Sequence, residues 1–193
     1  MDKVPQIRAR LEQEVRKWQF LPGLIDGKPE ETKTGLYLRT TLTPTNNDTF
    51  DVRIDHAGVG PTETRMTPPR YPADAIRHRK TGQVILAVAY DAEGHVVSVQ
   101  PADDSPKVDP LLTEASEKAA RKWQFQPELV GGHPLAGRAL IPFCYTLNIL
   151  PSGRKEGNCN WKRPGSNETL RDGETFALSP AAKLLTDVAG RTL

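Results

Sequence analysis

The feature that most constrains the fold of this chain is a seven-residue tract that occurs twice. Arg16–Pro22 reads RKWQFLP, and Arg121–Pro127 reads RKWQFQP. The likeness continues without a gap, because Leu24–Pro29 reads LIDGKP and Leu129–Pro134 reads LVGGHP. The second copy follows the first by 105 residues in both cases. A dense internal repeat of this kind predicts a duplicated structural unit.

Length and composition exclude several classes of protein. With 193 residues, the chain is long enough for one ordinary domain or two small ones. Its 26 basic and 24 acidic residues give no concentrated positive charge with which to bind nucleic acid. It has no apolar run of about 18 residues, so we expect no transmembrane helix, and its start lacks the apolar core of a signal peptide. We expect either a cytoplasmic protein or a soluble piece that has lost its targeting segment.

The two cysteines, Cys144 and Cys159, stand 15 residues apart. A disulfide between them would tie the C-terminal tail to the strand that precedes it, and such a bond persists in an oxidising compartment. In a reducing compartment the same pair would be two free thiols, one of them buried. The residues alone leave both states open.

The second half of the chain has the clearest secondary-structure pattern. Val84, Leu86, Val88 and Tyr90 alternate with small apolar residues, which predicts a strand covered on both faces. Apolar residues recur at helical spacing after Asp109, which suits an N-cap. The order predicts an α+β fold, a small antiparallel sheet with one helix packed on a face. The predicted elements are a strand at Gln83–Tyr90, a turn at Asp91–Gly94, a strand at His95–Gln100, a helix at Pro110–Lys122, and strands at Trp123–Val130 and Arg138–Ile149.

The N-terminal part gives a helix followed by short extended stretches. Ile7, Leu11, Val15 and Trp18 lie on one face of a helix predicted at Pro5–Trp18. Proline and glycine then stop the helix and separate the stretches that follow it. These are predicted at Trp18–Ile25, Thr34–Leu42 and Thr49–Ile54, with a turn at Gly27–Pro29.

The composition changes after Leu150. Residues 151–172 are rich in Gly, Asn, Ser and charge, which is typical of a loose linker. Ala181, Leu184 and Val188 predict a short amphipathic helix at Pro180–Val188. A helix of this length is too short to be stable alone.

A string of landmarks resembles the TonB C-terminal domain family, from about Pro68 to Leu150. The first copy, about Pro5 to Leu42, resembles only the back half of that domain, so the chain is expected to begin inside a repeat. This implies a partial TonB-like repeat at 1–60, a TonB C-terminal-like domain at 67–150, and a polar linker with a short C-terminal helix at 151–193. The landmarks are Tyr71-Pro72-x-x-Ala75, Gly82-x-Val84, Asp91-x-x-Gly94, Lys122-Trp123-x-Phe125-x-Pro127, Gly132-x-Pro134 and a final apolar strand.

The resemblance implies a binding function in the envelope of Gram-negative bacteria. TonB-like proteins act in the periplasm, where they couple the ExbB–ExbD motor to outer-membrane receptors in energy-dependent transport. Their C-terminal domain captures an extended receptor segment, the TonB box, by adding it as a strand to a sheet edge. No anchor is visible here, so a link to ExbB–ExbD is expected only if an anchor is missing from this chain. The expected activity is peptide binding and not catalysis.

The resemblance also indicates which residues would bind the partner. The terminal strand, Arg138–Leu147, is expected to pair with the peptide through main-chain hydrogen bonds, and side chains such as Tyr145 and Phe143 would add selectivity. Relatives make contacts just ahead of the Tyr-Pro pair, which here is Arg70. In this interpretation, Ile141→Pro removes capture and leaves the hairpin folded. The predicted partner-binding residues are Arg70, Tyr71, Arg138, Leu140, Ile141, Phe143, Tyr145 and Leu147.

Two other classes of function are open. If the same edge pairs with itself or with an envelope protein, the chain is a scaffold, and a half-repeat can lend strands to a neighbour in a homodimer. An enzyme would need a nucleophile with its base, and Ser105, Ser116 and Ser152 have no such signature. The four histidines are scattered without ligand spacing, so we expect neither a metal nor another cofactor.

Overall fold

The computed structural model describes residues 4–45, 49–148, 159–163 and 169–193. The helices are α1 (Val4–Val15), α2 (Ala73–Arg77) and α3 (Pro110–Ala120). The strands before α2 are β1 (Phe20–Leu21), β2 (Leu24–Ile25), β3 (Lys28–Pro29), β4 (Thr32–Lys33), β5 (Gly35–Pro44), β6 (Phe50–Gly60) and β7 (Thr62–Arg65). Those after α2 are β8 (Gly82–Tyr90), β9 (Val96–Pro101), β10 (Gln124–Gln126), β11 (Leu129–Val130), β12 (His133–Pro134), β13 (Gly137–Tyr145), β14 (Trp161–Lys162), β15 (Thr169–Leu170), β16 (Phe176–Ala177) and β17 (Lys183–Leu184).

The chain forms two compact units, each assembled from separate segments. Unit 1 contains Met1–Gly60, Glu128–His133 and Pro180–Leu193, and unit 2 contains Pro61–Pro127 and Pro134–Ser179. The division of the sequence into 1–60, 67–150 and 151–193 stays a prediction, because compact units in space need not coincide with segments of sequence.

Unit 2 is built on an antiparallel sheet of four strands in the order β16-β13-β8-β9. β8 lies inside this sheet and pairs with the whole of β13, a strand of nine residues. β8 and β9 form the hairpin predicted at Gln83–Gln100, and the Gly94 N–H closes its turn by donating to the Asp91 oxygen at 3.0 Å. The predicted hairpin is confirmed.

α3 packs on one face of this sheet. The Asp109 carboxylate caps the helix by accepting the Leu111 N–H at 3.1 Å, and Pro110 occupies the first turn, where its missing N–H needs no partner. Leu112 and Ala120 bring the apolar face of α3 into the main core, so the α+β arrangement of unit 2 is confirmed. The strand and aromatic residues of that core are Val84, Leu86, Val88, Tyr90, Val99, Trp123, Phe125, Ile141, Phe143 and Tyr145.

The other face of the sheet is covered by residues that follow β13. Ile85 and Leu140 are buried with Trp161 and Leu170, and Trp161 pairs with Leu170 where β14 meets β15. The cover predicted on both faces of β8 is therefore confirmed. The prediction of a loose linker at 151–172 is wrong at β14 and β15. Trp161 and Leu170 pack there on the face of the sheet that carries the small side chain of Ala87. Residues 151–158 and 164–168 of that prediction lie outside the described residues.

Unit 1 centres on the long antiparallel hairpin of β5 and β6. The far edge of β6 is covered by the C-terminal residues, since the Ile54 N–H donates to the Arg191 oxygen at 2.8 Å and the Leu193 N–H donates to the Val52 oxygen at 2.9 Å. The helix predicted at Pro5–Trp18 is confirmed as α1 and packs on this hairpin. The core of the unit contains buried Trp18, Ile54 and Val188, with Leu11, Val15, Leu36 and Leu38 partly buried against them.

The helix predicted at Pro180–Val188 is wrong. This stretch is extended, and its β17 pairs with β1, with Leu184 opposite Phe20. The Leu185 N–H donates to the Gln19 oxygen at 2.9 Å, and Val188 is buried. A helix this short has little stability of its own, so the packing and pairing available in unit 1 decide its conformation.

A disulfide joins Cys144 to Cys159, whose Cα atoms lie 5.4 Å apart. Of the two states that the sequence left open, the structure contains the bonded one. The bond closes a separation of 15 residues. A loop of about that length corresponds to roughly 3 kcal/mol of stabilisation in the chain-entropy model. The bond ties Cys159 to the end of β13.

Two glycines of unit 2 give a matched test of the packing at the β8–β9 turn. Gly94 has φ +85°, and a Cβ atom there would overlap the carbonyl oxygen of Phe125. Gly173 has φ +77°, and a Cβ atom there would meet nothing within 4 Å. We expect Gly173→Ala to lower the free energy of unfolding by about 1 kcal/mol, the cost of the left-handed backbone alone. Gly94→Ala should cost about 3 kcal/mol or more in the same denaturant titration. Equal costs would contradict this packing.

Candidate functional site

The backbone of β13 faces two different neighbours. Ile85 of β8 faces β9, because its oxygen accepts the Ala102 N–H at 2.8 Å. Backbone groups alternate along an antiparallel ladder, so Leu86 faces β13 and its partner Ile141 faces β8. The remaining alternate residues therefore point their backbone groups to the outer edge of β13; they are Arg138, Leu140, Pro142 and Cys144.

The outer edge of β13 is occupied by residues 172–178 of the same chain, here called the edge segment. It contains β16, which pairs antiparallel with β13 at Leu140↔Phe176 and Ala139↔Ala177. On either side, the Leu178 N–H donates to the Arg138 oxygen at 2.9 Å and the Gly173 N–H donates to the Pro142 oxygen at 2.7 Å. The Cys144 N–H donates to an Asp172 carboxylate oxygen at 2.7 Å. The edge segment thus follows the outer edge from Arg138 to Cys144.

Pro142 occupies a position of β13 at which the lack of a backbone N–H does not affect the pairing with β8. Its missing N–H would point to the outer edge, so the ladder between β13 and β8 loses no donor. Ile141 faces β8 and is fully buried. A proline at position 141 would remove a bond of the inner ladder, so Ile141→Pro is expected to disrupt the core, contrary to the expectation from the sequence.

The predicted binding residues of β13 point mostly into the two cores. Ile141, Phe143 and Tyr145 are buried in the core shared with α3, and the Phe143 ring lies 5.3 Å from that of Trp123. Leu140 is buried on the other face beside Trp161. These residues have only backbone groups to offer a partner, and of the four only Leu140 directs those groups to the outer edge. The side chains of Phe143 and Tyr145 are therefore not placed to select a peptide.

The other predicted residues lie nearer the surface. Arg138 is exposed, and Leu147 is half-buried beyond the end of β13 at Tyr145. Tyr71 lies against Tyr145, with ring centroids 5.1 Å apart and the rings edge to face. Arg70 is exposed in the segment before α2. The structure thus brings Tyr71 to the end of β13 but does not gather all eight residues at one surface.

Arg70 contributes to a cationic cleft of about 620 Å³. Arg65 and Arg70 line one side, and Lys118 and Lys122 come from the last turns of α3 and the residues just after it. No ion pair in the described part of the chain uses any of these four side chains. The cleft is therefore suited to carboxylate groups.

Two tyrosine hydroxyls of unit 2 make hydrogen bonds, a buried one at Tyr145 and an exposed one at Tyr71. The Ser116 hydroxyl donates to the Leu112 oxygen at 2.8 Å and lies 2.7 Å from the Tyr145 hydroxyl, which then donates to it. The Tyr71 hydroxyl donates to the Lys80 oxygen at 2.6 Å. Burial raises the pKa of both tyrosines; for Tyr145 the bond to Ser116 opposes this, and the charge of Asp172 adds to it.

The edge segment is the part of the site that the sequence did not reveal. It begins at Asp172, the last residue of the stretch predicted to be a linker, and its paired strand is only two residues long. The one available signal was Pro142, because a proline inside a strand indicates an edge with reduced pairing. The apolar run Phe176-Ala177-Leu178 gives no period by which a strand could be recognised.

Metal binding and membrane crossing find no support in the described ranges. No group of three or more His, Cys, Asp or Glu side chains there is arranged to hold a metal ion. No helix among the described residues is both long and apolar enough to cross a membrane.

Comparison with known proteins identifies the domain. Residues 67–147 match the family model described as Gram-negative bacterial TonB protein C-terminal. Protein TonB of Xanthomonas campestris pv. campestris (strain B100) is 40% identical over 92 residues, which cover 48% of this chain and 40% of that protein. Protein TonB of Vibrio cholerae serotype O1 is 30% identical over 79 residues, covering 41% of this chain and 32% of that protein. Residues 67–147 are therefore a TonB C-terminal domain, and the match spans less than half the length of these relatives.

High pH is expected to destabilise unit 2 through Tyr145. Its folded pKa is raised, so its contribution to stability is fully present below the unfolded pKa and is lost as pH rises through the folded value. In an absorbance titration of phenolate formation, we expect a late-titrating component that Tyr145→Phe removes. A titration curve that loses only an ordinary tyrosine in this variant would contradict the burial of the hydroxyl.

Proposed function

We propose that this TonB C-terminal domain binds an extended segment of an outer-membrane receptor by adding it as a strand to the outer edge of β13. The observation that carries the proposal is that this edge already accepts an extended segment of the same chain, residues 172–178. An edge that pairs with one extended segment offers the same backbone groups to another. The residues that pair are Arg138, Leu140, Pro142 and Cys144.

Binding in this way requires an exchange of strands. The edge segment contributes a strand of two residues, whereas β8 holds the other side of β13 along nine. The edge segment already bonds at all four outward residues, and at Cys144 it does so only through the side chain of Asp172. An incoming strand competes for these groups and can replace that side-chain contact with a main-chain bond. Each net bond is worth about 0.5–1.5 kcal/mol, so one added bond shifts the exchange by about 2- to 10-fold.

Charge beside the edge supplies the selectivity. The side chains of Phe143 and Tyr145 are buried, so they recognise no partner directly. Arg138 at the edge and the cleft at Arg70 are both cationic and exposed. A receptor segment with acidic residues flanking its paired stretch fits both places, because a carboxylate gains charge-assisted hydrogen bonds there.

The cellular setting is part of the same proposal. Cys144 and Cys159 form a disulfide, and such bonds persist in oxidising compartments such as the bacterial periplasm. The disulfide therefore supports a periplasmic location for the protein. The relatives named Protein TonB support a role in energy-dependent transport across the outer membrane. Coupling to the ExbB–ExbD motor would additionally require an anchor. The activity proposed here is binding and not catalysis.

The first test is an NMR titration of the labelled chain with a synthetic TonB-box peptide and a scrambled control. We expect large shifts at the amides of Leu140 and Cys144, together with loss of the signals that Gly173 and Leu178 give in the paired state. The scrambled peptide should produce neither. A chain that works as a self-associating envelope scaffold would instead show no peptide shifts and a dimer in light scattering, and this result would overturn the proposal.

A proline in the edge segment tests the exchange step. Leu178→Pro removes the N–H that donates to the Arg138 oxygen, so the segment is held less firmly. We expect the TonB-box peptide to bind about 2- to 10-fold more tightly, which corresponds to one net hydrogen bond. Ser179→Pro is the matched control, since Ser179 is exposed and lies next to the segment. Unchanged or weaker affinity in Leu178→Pro would mean that the peptide does not compete with the edge segment.

A further inference from the structure

Unit 1 contains an apolar groove between α1 and β5, with a volume of about 510 Å³. Ile7, Leu11 and Val15 line it from the helix, and Leu36 and Leu38 line it from the strand. All five side chains are half-buried. Three other lining residues are charged. Arg8 and Glu12 bind each other at 2.9 Å between Nε and Oε1, so their charges are paired, whereas Arg16 is exposed just after the end of α1. The groove therefore offers mainly apolar surface.

The outer edge of β5 runs along this groove and has no strand beside it within the described residues. The backbone groups of Val52 and Ile54 in β6 bond with the C-terminal residues. Because backbone groups alternate along an antiparallel ladder, those of Arg53 face β5, and those of its partner Thr41 face β6. The bulge in this hairpin places its extra residue, Asp55, in β6, and the alternation along β5 continues unbroken. The outward backbone groups of β5 therefore belong to Leu36, Leu38, Thr40 and Leu42.

The elements of the first copy correspond to those of the second at the offset of the sequence repeat. When 105 is added to their residue numbers, β2 and β3 coincide with β11 and β12. α1 coincides in the same way with Asp109–Ala120, which is α3 with its N-cap. Five groove residues have equivalents at this offset: Ile7, Leu11, Val15, Leu36 and Leu38 correspond to Leu112, Ser116, Ala120, Ile141 and Phe143.

In unit 2 those equivalent residues are covered by a strand. All five are buried, and β8 lies over them with Val84, Leu86 and Val88 in the same core. β8 pairs with the edge of β13 to which Ile141 and Phe143 point their backbone groups. The equivalent edge of β5 is the one that carries Leu36 and Leu38, and no described strand pairs with it. β6 pairs with the opposite edge of β5, which corresponds to the edge of β13 that holds residues 172–178.

We propose that unit 1 is a second strand-binding site, and that its ligand is an extended partner segment with apolar side chains at alternate positions. The segment pairs with the outer edge of β5 and places its apolar side chains in the groove against α1, as β8 does in unit 2. This site is separate from the receptor edge of β13. It favours an apolar ligand, because five of its eight lining residues are apolar. Among the described residues, Arg16 is its one lining cation outside an ion pair, whereas four such cations line the cleft at Arg70.

The probe is a synthetic peptide with the sequence of Gln83–Tyr90 and added lysines at both ends, since this segment fills the equivalent place in unit 2. Two N-methylated forms make a matched pair. One carries methyl groups on the amides of Val84, Leu86 and Val88, which face the equivalent edge, and the other on Ile85, Ala87 and Ala89, which face away. Methylation removes the N–H donor without changing the side chain.

We expect the unmethylated peptide and the form methylated at Ile85, Ala87 and Ala89 to bind the full chain with similar affinity. The form methylated at Val84, Leu86 and Val88 should bind at least about tenfold more weakly, because three main-chain bonds are lost. Amide shifts should appear at Leu36, Leu38 and Thr40. Equal affinity of both methylated forms would mean apolar adhesion without strand pairing and would overturn the proposal.

Two protein variants locate the binding on α1. Ile7→Lys places a charge in the groove, and we expect it to weaken peptide binding at least about fivefold through lost apolar burial. Gln13→Lys adds the same charge to an exposed position of the same helix outside the groove and should leave the affinity unchanged. Absence of peptide binding, shifts confined to β13, or a dimer in light scattering whose contact covers β5 would each overturn the proposal.

Discussion

The structure of unit 2 depends on how the backbone of β13 divides its hydrogen bonds between two sides. Residues such as Ile141 bond inward to β8, and the alternate residues from Arg138 to Cys144 point outward. The residues that bond to β8 are also those whose side chains pack against α3, so β8 cannot leave β13 without loss of the core. The outward side is held by short pairing with residues 172–178 and by the carboxylate of Asp172. A strand with one permanent and one replaceable neighbour is the physical basis of the binding function proposed here.

Much of the fold of unit 2 follows from local pattern in the sequence. Alternation in Gln83–Tyr90, the turn at Gly94 and the cap at Asp109 each predict an element that the structure contains. The site could be predicted only in part, because alternation shows that Ile141 and Phe143 share a face but not which edge of the strand is open. The edge segment and the residues after Pro180 were beyond prediction, since their strands of two residues form through distant pairing and carry no period of their own.

The two copies of the repeated tract lie in different surroundings. In the second copy, a hairpin supplied by the preceding residues covers the helix and the terminal strand, and a stable core results. In the first copy, the same face of α1 and the same edge of β5 remain half-exposed within the described residues. The tryptophans at the repeated positions, Trp18 and Trp123, are buried in both copies. The repeated residues therefore fix the junction of helix and strand, whereas the residues around them decide whether the groove is filled.

If residues 172–178 are a replaceable neighbour of β13, native-state amide hydrogen exchange of the free chain should reveal their local opening. We expect the N–H groups of Gly173 and Leu178 to exchange through this local opening, far faster than those of Ile141 and Phe143, which exchange only when unit 2 unfolds. The Cys144 N–H, which donates to Asp172, should exchange as fast as those of Gly173 and Leu178. Equal protection of all these amides would mean that the edge segment is as permanent a part of the sheet as β8, and that a receptor strand cannot replace it.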